Sequence, residues 1–357
     1  MRPNIGWLFY KKLYEKGDNQ NHIADVSKEI LKSNIKDEPI ISKYKHGFEL
    51  TTTYPGLLIG SGYIHGISSD NDFKIGFYFD HTSGLPVIPG SSIKGVLRSL
   101  FALPFNKKED PYKKEKEEII RSFLKRDKNF DVKALALTIF EGIDPENQKP
   151  MSIYERDIFY EARVVQTNGK LLNDDYITPH KDQLKNPIPL RFLKVAPKTT
   201  FTFSFRLTDT TINGDTVTAE EKEELFFKLL TFHGIGAKTN VGYGQFEEIG
   251  EDAYKQKKRT YLQRIENILE TERKKREKKA LEEKLESMPE HEKLFEKHKN
   301  NIPELIRMMQ NKDIEERYLK PLAQLIKQEL MKNQKTWKKA KQKALKRKEY
   351  IESILNN

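Results

Sequence analysis

The sequence predicts an α+β body followed by a helical extension, and three observations carry that prediction. Period-two apolar runs, FELTTTY (48–54), FKIGFYF (73–79) and TFTFSFRL (200–207), read as half-buried strands. Between them lie stretches with helical spacing: an N-terminal segment carrying Trp7, Leu8, Leu13 and Tyr14, a segment from Ile93 to Phe101, and one from Ala219 to Phe232. All 19 glycines of the 357-residue chain fall at or before Gly250, so the turn-rich architecture stops there. The predicted organisation is therefore a body over 1–250 and an extension over 251–357.

Each element has its own signals. The helix beginning at Ala219 has a start in Thr218, a capping hydroxyl whose bond Glu221 returns three residues on, and a stop in Gly234. Residues 107–133 read as a charged helical insertion. After Gly250 the chain is rich in Gln, Glu, Lys, Arg, Leu and Ala, with Pro289, Pro303 and Pro321 as its only breakers. From Leu269 to Leu281 the only apolar residue between the two leucines is Ala280, which predicts a solvated helix or a frayed linker. Leu322, Leu325, Ile326 and Leu330, then Trp337, Ala340, Ala344, Ile351 and Ile354, recur at helical spacing and predict a small hairpin or bundle.

Charge narrows the partner class. The chain carries 64 Lys+Arg against 53 Asp+Glu, a net +11, and a pI near 9.3, so polyanions are the expected ligands. The excess is uneven: residues 251–357 hold 29 cations against 19 anions, and the first 250 hold 35 against 34. Within 331–350 nine cations face Glu349 alone, a density that can neutralise several phosphates, although a solvated lysine-rich face is the plainer reading. With no cysteine there is no disulfide framework, thiolate zinc site or cysteine nucleophile. No secretory signal pattern opens the chain and no apolar run reaches about 18 residues, so a soluble cytoplasmic protein is expected. No cofactor or metal site is expected either.

Two segments concentrate the functional signals. The first, GIGAKTNVGYG at 234–244, places four glycines in eleven residues between the capped helix and the short strand QFEEI. Gly234, Gly236, Gly242 and Gly244 permit positive φ and close backbone approach, so amide groups can face a phosphate chain. Lys238 adds charge, Thr239 a hydroxyl, and Tyr243 a ring able to stack on a base. The segment is neither a Walker A loop nor a dinucleotide fingerprint, because a strand and not a helix follows it. The plainer reading, a helix cap and tight turn, accounts for Gly234 alone. The second segment, PGSSIKGVLR at 89–98, offers Ser91 or Ser92 as a cap, exposed amides at a helix start, and Lys94 and Arg98 on one helical face.

These two segments, on an α+β body, resemble the RAMP superfamily of CRISPR-associated proteins, which implies a ferredoxin-like, RRM-type fold for the body. Within that superfamily the stretch 174–205, DDYITPHKDQLKNPIPLRFLKVAPKTTFTFSF, is similar to the sixth Cmr subunit of type III-B effector complexes. The matching positions are Asp175, Thr178, Pro179, His180, Pro187, Pro189, Phe192, Leu193 and Val195. The resemblance covers roughly 45–250. It implies a non-catalytic RNA-binding subunit placed near the 3′ end of the guide RNA, with guide RNA, target RNA and other Cmr subunits as partners. The implied RNA-binding residues are Ser91, Ser92, Lys94, Arg98, Gly234, Gly236, Lys238, Thr239, Gly242, Tyr243, Gly244 and His65.

Two rival readings remain open at this level. A metal-independent endoribonuclease would use a histidine as general base, with His65 in GSGYIHGI ahead of His81, His180 and His233. His233 lies at a helix C-terminus, where the dipole favours a cation, and no second acid or base is placed by the sequence. A pure protein scaffold would use its basic helices on acidic subunits.

Overall fold

The computed structural model describes residues 4–35, 44–60, 72–74, 77–103, 110–178, 189–331 and 342–356. The His65 and His180 readings, and those on Pro179, Pro187, Trp337 and Ala340, lie outside the described residues. Two compact units are present, Met1–Ile268 and Leu269–Asn357. The first contains α1 (Ile5–Tyr10), α2 (Gln20–Leu31), β1 (His46–Thr51), β2 (Val87–Ile88), α3 (Gly90–Leu100), α4 (Lys113–Leu124) and α5 (Val132–Ala136). It continues with β3 (Ile158–Phe159), β4 (Ala162–Thr167), β5 (Leu172–Ile177), β6 (Leu190–Val195), β7 (Thr199–Arg206), β8 (Thr210–Ile212), β9 (Asp215–Val217) and α6 (Ala219–His233). α7 (Glu251–Ser287) begins in this unit, and α8 (Glu290–His298), α9 (Ile302–Gln310), α10 (Glu316–Met331) and α11 (Gln342–Asn356) belong to the second.

The central sheet runs β2–β4–β7–β1, antiparallel throughout, with β3 pairing β7 below β4. Just past β1, Thr52 bridges Phe246, while the Thr53 amide donates to the Gln245 carbonyl (3.0 Å) and the Glu247 amide to that of Thr51 (2.9 Å). The QFEEI segment thus adds a strand position on the far side of β1. Numbering β1, β4, β7 and this segment in chain order gives the sheet order 4-1-3-2. α3 lies between the first and second of these strands and α6 between the third and fourth. That is the β-α-β-β-α-β ferredoxin-like arrangement.

Alternation in β7 explains the core. Phe201, Phe203 and Phe205 share the face turned toward α6 and are buried with Phe48 and Leu50 of β1. Phe48 meets Phe227 edge-on at 5.5 Å, and Phe205 lies 5.4 Å from Phe226. The capping box at Thr218 and Glu221 forms as its spacing predicts, and α6 ends at Gly234 with φ +74°. One turn into α6, the ammonium of Lys222 is 0 % exposed and bonds Asp157 (2.7 Å, 1 % exposed) and Thr210 (2.8 Å). This pair ties the helix start to β8 and to the chain entering β3. Removing one partner would strand a buried charge at a cost of about 3–5 kcal/mol.

Some elements differ from the reading of the sequence. Phe73, Phe77 and Phe79 are buried as the 73–79 pattern requires, but the described part of that run holds only an isolated bridge, Phe79 with Pro86. Its rings fill the core against α1, Phe9 lying 6.1 Å from Phe73 and 5.5 Å from Phe79. Pro321 sits inside α10 and does not break it. It falls early in the helix, where its missing N–H removes one bond near the first turn. The second unit has its own core of Phe295, Leu305, Ile306, Met309, Leu322, Ile326 and Ile351.

The compact body reaches Ile268, beyond the glycine boundary at 250. Tyr254, Lys258, Tyr261 and Ile265 of α7 repeat at helical spacing and face the body. Tyr261 is 1 % exposed and donates to the Tyr44 carbonyl (2.9 Å). Lys258 bonds the Gly47 carbonyl (3.0 Å) and the buried Glu223 (2.5 Å). Past this contact, 271–284 is solvent-exposed helix apart from a half-buried Glu272, as the absence of an apolar face predicts.

Candidate nucleic-acid interface

The glycine-rich loop is stitched to the chain that follows β1. The Ile235 amide donates to the Gly244 carbonyl (2.9 Å), the Ala237 amide to Leu58 (2.8 Å), and the Gly244 amide to Gly56 (2.8 Å). A Cβ on Gly244, at φ +70°, would fall onto the Ile235 carbonyl oxygen. One on Gly236, at φ +98°, would come within 2.5 Å of the Leu58 carbonyl oxygen. The expectation that the glycines open the loop to a phosphate is therefore corrected: Gly234, Gly236 and Gly244 let the protein's own backbone pack on itself. What turns outward is the tip over 236–242, with Gly236, Ala237, Asn240 and Val241 exposed and Lys238 and Thr239 half-buried. Lys238 adopts φ +61° ahead of a single 3-10 turn, Thr239–Val241, and Gly242 closes it at φ +93°.

Tyr243 requires a second correction. It is 9 % exposed and packs with Leu58 and Phe192, so its ring is not available to stack on a base. Its hydroxyl donates to Asp175 Oδ2 (2.7 Å), which also receives Lys194 Nζ (2.5 Å). Burial pulls the Asp175 carboxyl upward, but the bonds from Lys194 and Tyr243 outweigh it and hold the group below its ordinary value. Burial and the same carboxylate raise the Tyr243 phenol. Asp175 and Phe192 of the family-like stretch thus hold Tyr243 of the loop, and Val195 pairs with Leu57 beside it. The family series names these residues, but nothing in its spacing shows that they hold Tyr243.

The second segment begins α3 at Gly90 with Pro89 as its cap, and neither Ser91 nor Ser92 makes a capping bond. Pro89 takes the flanking position, which leaves both hydroxyls exposed on the first turn. Arg98 is engaged: its Nε donates to Glu141 Oε1 (2.8 Å), so Lys94 is the cation of this helix face without that tie.

The structure does not bring the two segments together. Gly90 lies against the Phe159 carbonyl, Phe159 pairs with Phe205, and Phe205 with His46. The α3 start is therefore at the His46 end of β1, whereas the loop bonds Gly56 and Leu58 beyond the Thr52 end. At about 3.3 Å per residue the ends are roughly 20 Å apart along the strand.

An RRM reads bases with aromatic rings on its open sheet face. Here that face carries Glu49, Thr51, Thr200, Thr202 and Ser204. α7 lies over part of it, with Tyr261 against Gly47 and Arg264 Nη1 on Glu49 Oε1 (2.5 Å). A polar groove of about 580 Å³ remains between Thr51, Gln166, Lys198 and Thr200 of the sheet side and Lys257 and Thr260 of α7.

The remaining histidines do not converge with these groups. His81 is exposed and offers its carbonyl to Asn4 Nδ2 (3.0 Å). His233 is exposed at the end of α6, and partial desolvation and then the Lys116 charge hold its imidazole below its ordinary value. Among the described residues no group of three His, Asp or Glu side chains is placed to hold a metal, and no helix is long and apolar enough to cross a membrane.

Comparison with known proteins agrees with this fold. The RAMP superfamily model matches residues 49–247, more than half of the chain, and the chain belongs to the RAMP superfamily. It is similar to a chain of the type III-B Cmr-beta complex bound to cognate target RNA, with 25% identity and a TM-score of 0.37, covering 57% of this chain and 58% of that one. It is also similar to Cmr6 from Pyrococcus furiosus, at 22% identity and TM-score 0.31 over 57% and 96% of the two chains. A chain of a type III-A Csm–crRNA–target RNA ternary complex matches at 14% identity and TM-score 0.25, over 45% and 64%. No curated protein matches.

Proposed function

We propose that this chain is a non-catalytic RNA-binding subunit of a type III CRISPR effector complex of the Cmr kind, acting in antiviral defence. The observation that carries the reading is the loop tip: within a RAMP body, a rigidly anchored turn leaves Gly236, Ala237, Asn240 and Val241 exposed, with Lys238 and Thr239 half-buried among them. Such a surface suits a phosphate backbone, because the anchoring bonds fix the donors before the ligand arrives. Its ligands are guide RNA near its 3′ end and, through the assembled complex, target RNA, and its protein partners are other Cmr subunits.

Binding rather than turnover is proposed because the polar cluster beside the loop is already committed. Asp175 accepts from Lys194 and Tyr243, which hold its carboxyl below its ordinary value and make it a poor base toward a substrate hydroxyl. Copurification of the full chain from its host, with RNA sequencing and mass spectrometry of what accompanies it, tests the reading. Guide RNA and RAMP subunits are the expected companions, and finding neither contradicts it.

A further inference from the structure

Tyr243 was the ring the sequence offered for base stacking, and the structure buries it. Another aromatic lies on the turn beside that loop. Tyr54 is 84 % exposed on the turn that follows β1. A single exposed aromatic is ordinary on a protein surface, and Tyr154 is 82 % exposed as well, so what distinguishes Tyr54 is its place on a bonded turn beside the Lys238 tip.

The turn is rigid for stated reasons. On one side of Tyr54, Thr53 donates its amide (3.0 Å) and its hydroxyl (3.2 Å) to the Gln245 carbonyl. On the other, the Gly56 amide returns to the Thr53 carbonyl (2.8 Å), and the Gly56 carbonyl accepts from Gly244 (2.8 Å). The turn also abuts the loop tip, since a Cβ on Gly242 would lie 3.4 Å from Pro55 Cδ. Val241, on that tip, is 60 % exposed. A projecting ring, an apolar side chain and the Lys238 cation therefore border one short stretch of surface. Phosphates need the cation and bases need the apolar faces, so this combination fits single-stranded nucleic acid better than a polyanion lacking bases.

We propose that Tyr54 stacks on a base of the single-stranded RNA whose backbone is held at the Lys238 tip. The inference rests on the RNA-binding reading above and adds the base contact to it. Because every base has a π-face, the contact is sequence-tolerant and contributes affinity without salt dependence.

The test compares full-length wild-type protein with Tyr54→Ala, Tyr54→Phe and Lys238→Ala on two labelled probes, an oligoadenylate and its abasic counterpart. Tyr54→Ala should weaken oligoadenylate binding about tenfold, leave abasic binding and the salt slope unchanged, and melt as the wild type does. Tyr54→Phe should bind as the wild type does. If Lys238→Ala weakens binding and Tyr54→Ala does not, the stacking inference is overturned and the loop reading stands. If neither substitution matters, the RNA-binding reading itself fails. Equal loss on both probes, or loss of Cmr-subunit binding with RNA affinity intact, also overturns the inference, because Tyr54 would then be a backbone or protein contact.

Discussion

The two ends of the β1–β7 strand pair use similar residues for opposite purposes. At the Thr52 end, four glycines and a tyrosine, which by composition read as a ligand-facing loop, are largely spent on the protein's own backbone, and only the tip over 236–242 is left outward. At the His46 end, two serines stay exposed on the first turn of α3, Arg98 is paired with Glu141, and α7 closes the sheet edge through Lys258 and Tyr261. A glycine-rich segment therefore reports close backbone approach without saying whose backbone approaches.

The largest expected effect comes from opening the His46 end. A chain ending at Gly250 loses the Lys258–Glu223 ion pair and the buried Tyr261 and Ile265, whose burial alone contributes about 3–6 kcal/mol. At about 2–4 °C per kcal/mol, it should melt roughly 6–24 °C below a chain ending at Ile268. Equal melting temperatures would show that α7 merely rests on the body.

At the Thr52 end, Gly244→Ala sharpens the contrast, because the new methyl meets the Ile235 carbonyl at a φ that disfavours side chains. Strain and displacement together predict about 3 kcal/mol of destabilisation. Gly250→Ala, with open space around it and no positive φ, should melt unchanged. The same logic makes Gly236→Val destabilising in its own right, so lost RNA binding in that variant would not isolate the loop's role.

A smaller effect is expected beneath the loop. Because the folded Asp175 carboxyl lies below its ordinary value, its charged form contributes stability above the unfolded pKa, and this is lost as pH falls through the folded one. Asp175→Asn should melt roughly 2–4 °C lower at pH 7 for about 1 kcal/mol lost. The gap to wild type should close below about pH 4. A gap independent of pH would mean that the Tyr243 and Lys194 bonds do not depend on the charge.

Much of the fold was legible. The FTFSF alternation gives the buried face of β7, and the Thr218–Glu221 spacing gives the start of α6, because both are local patterns. The α7 contact was hidden although Tyr254, Lys258, Tyr261 and Ile265 form a stripe, since the loss of glycine at 250 is a stronger mark than a four-residue periodicity within a charged helix. At the site, the loop's position was legible and its atom usage was not. Whether Tyr243 or Tyr54 faces solvent depends on Asp175 and Phe192, more than fifty residues away from Tyr243, and on a strand register that no local window contains.

The central proposal, that RNA is held at the loop end of the sheet, is tested most directly by the salt dependence of RNA affinity in Lys238→Ala full-length protein, with Lys94→Ala at the α3 start as the comparison. Lys238→Ala should weaken binding and reduce the slope of log affinity against log salt by about one. Lys94→Ala should leave both unchanged. The reverse pattern, with Lys94→Ala lowering the slope and Lys238→Ala silent, would contradict the account and move the contact to the opposite end of the sheet.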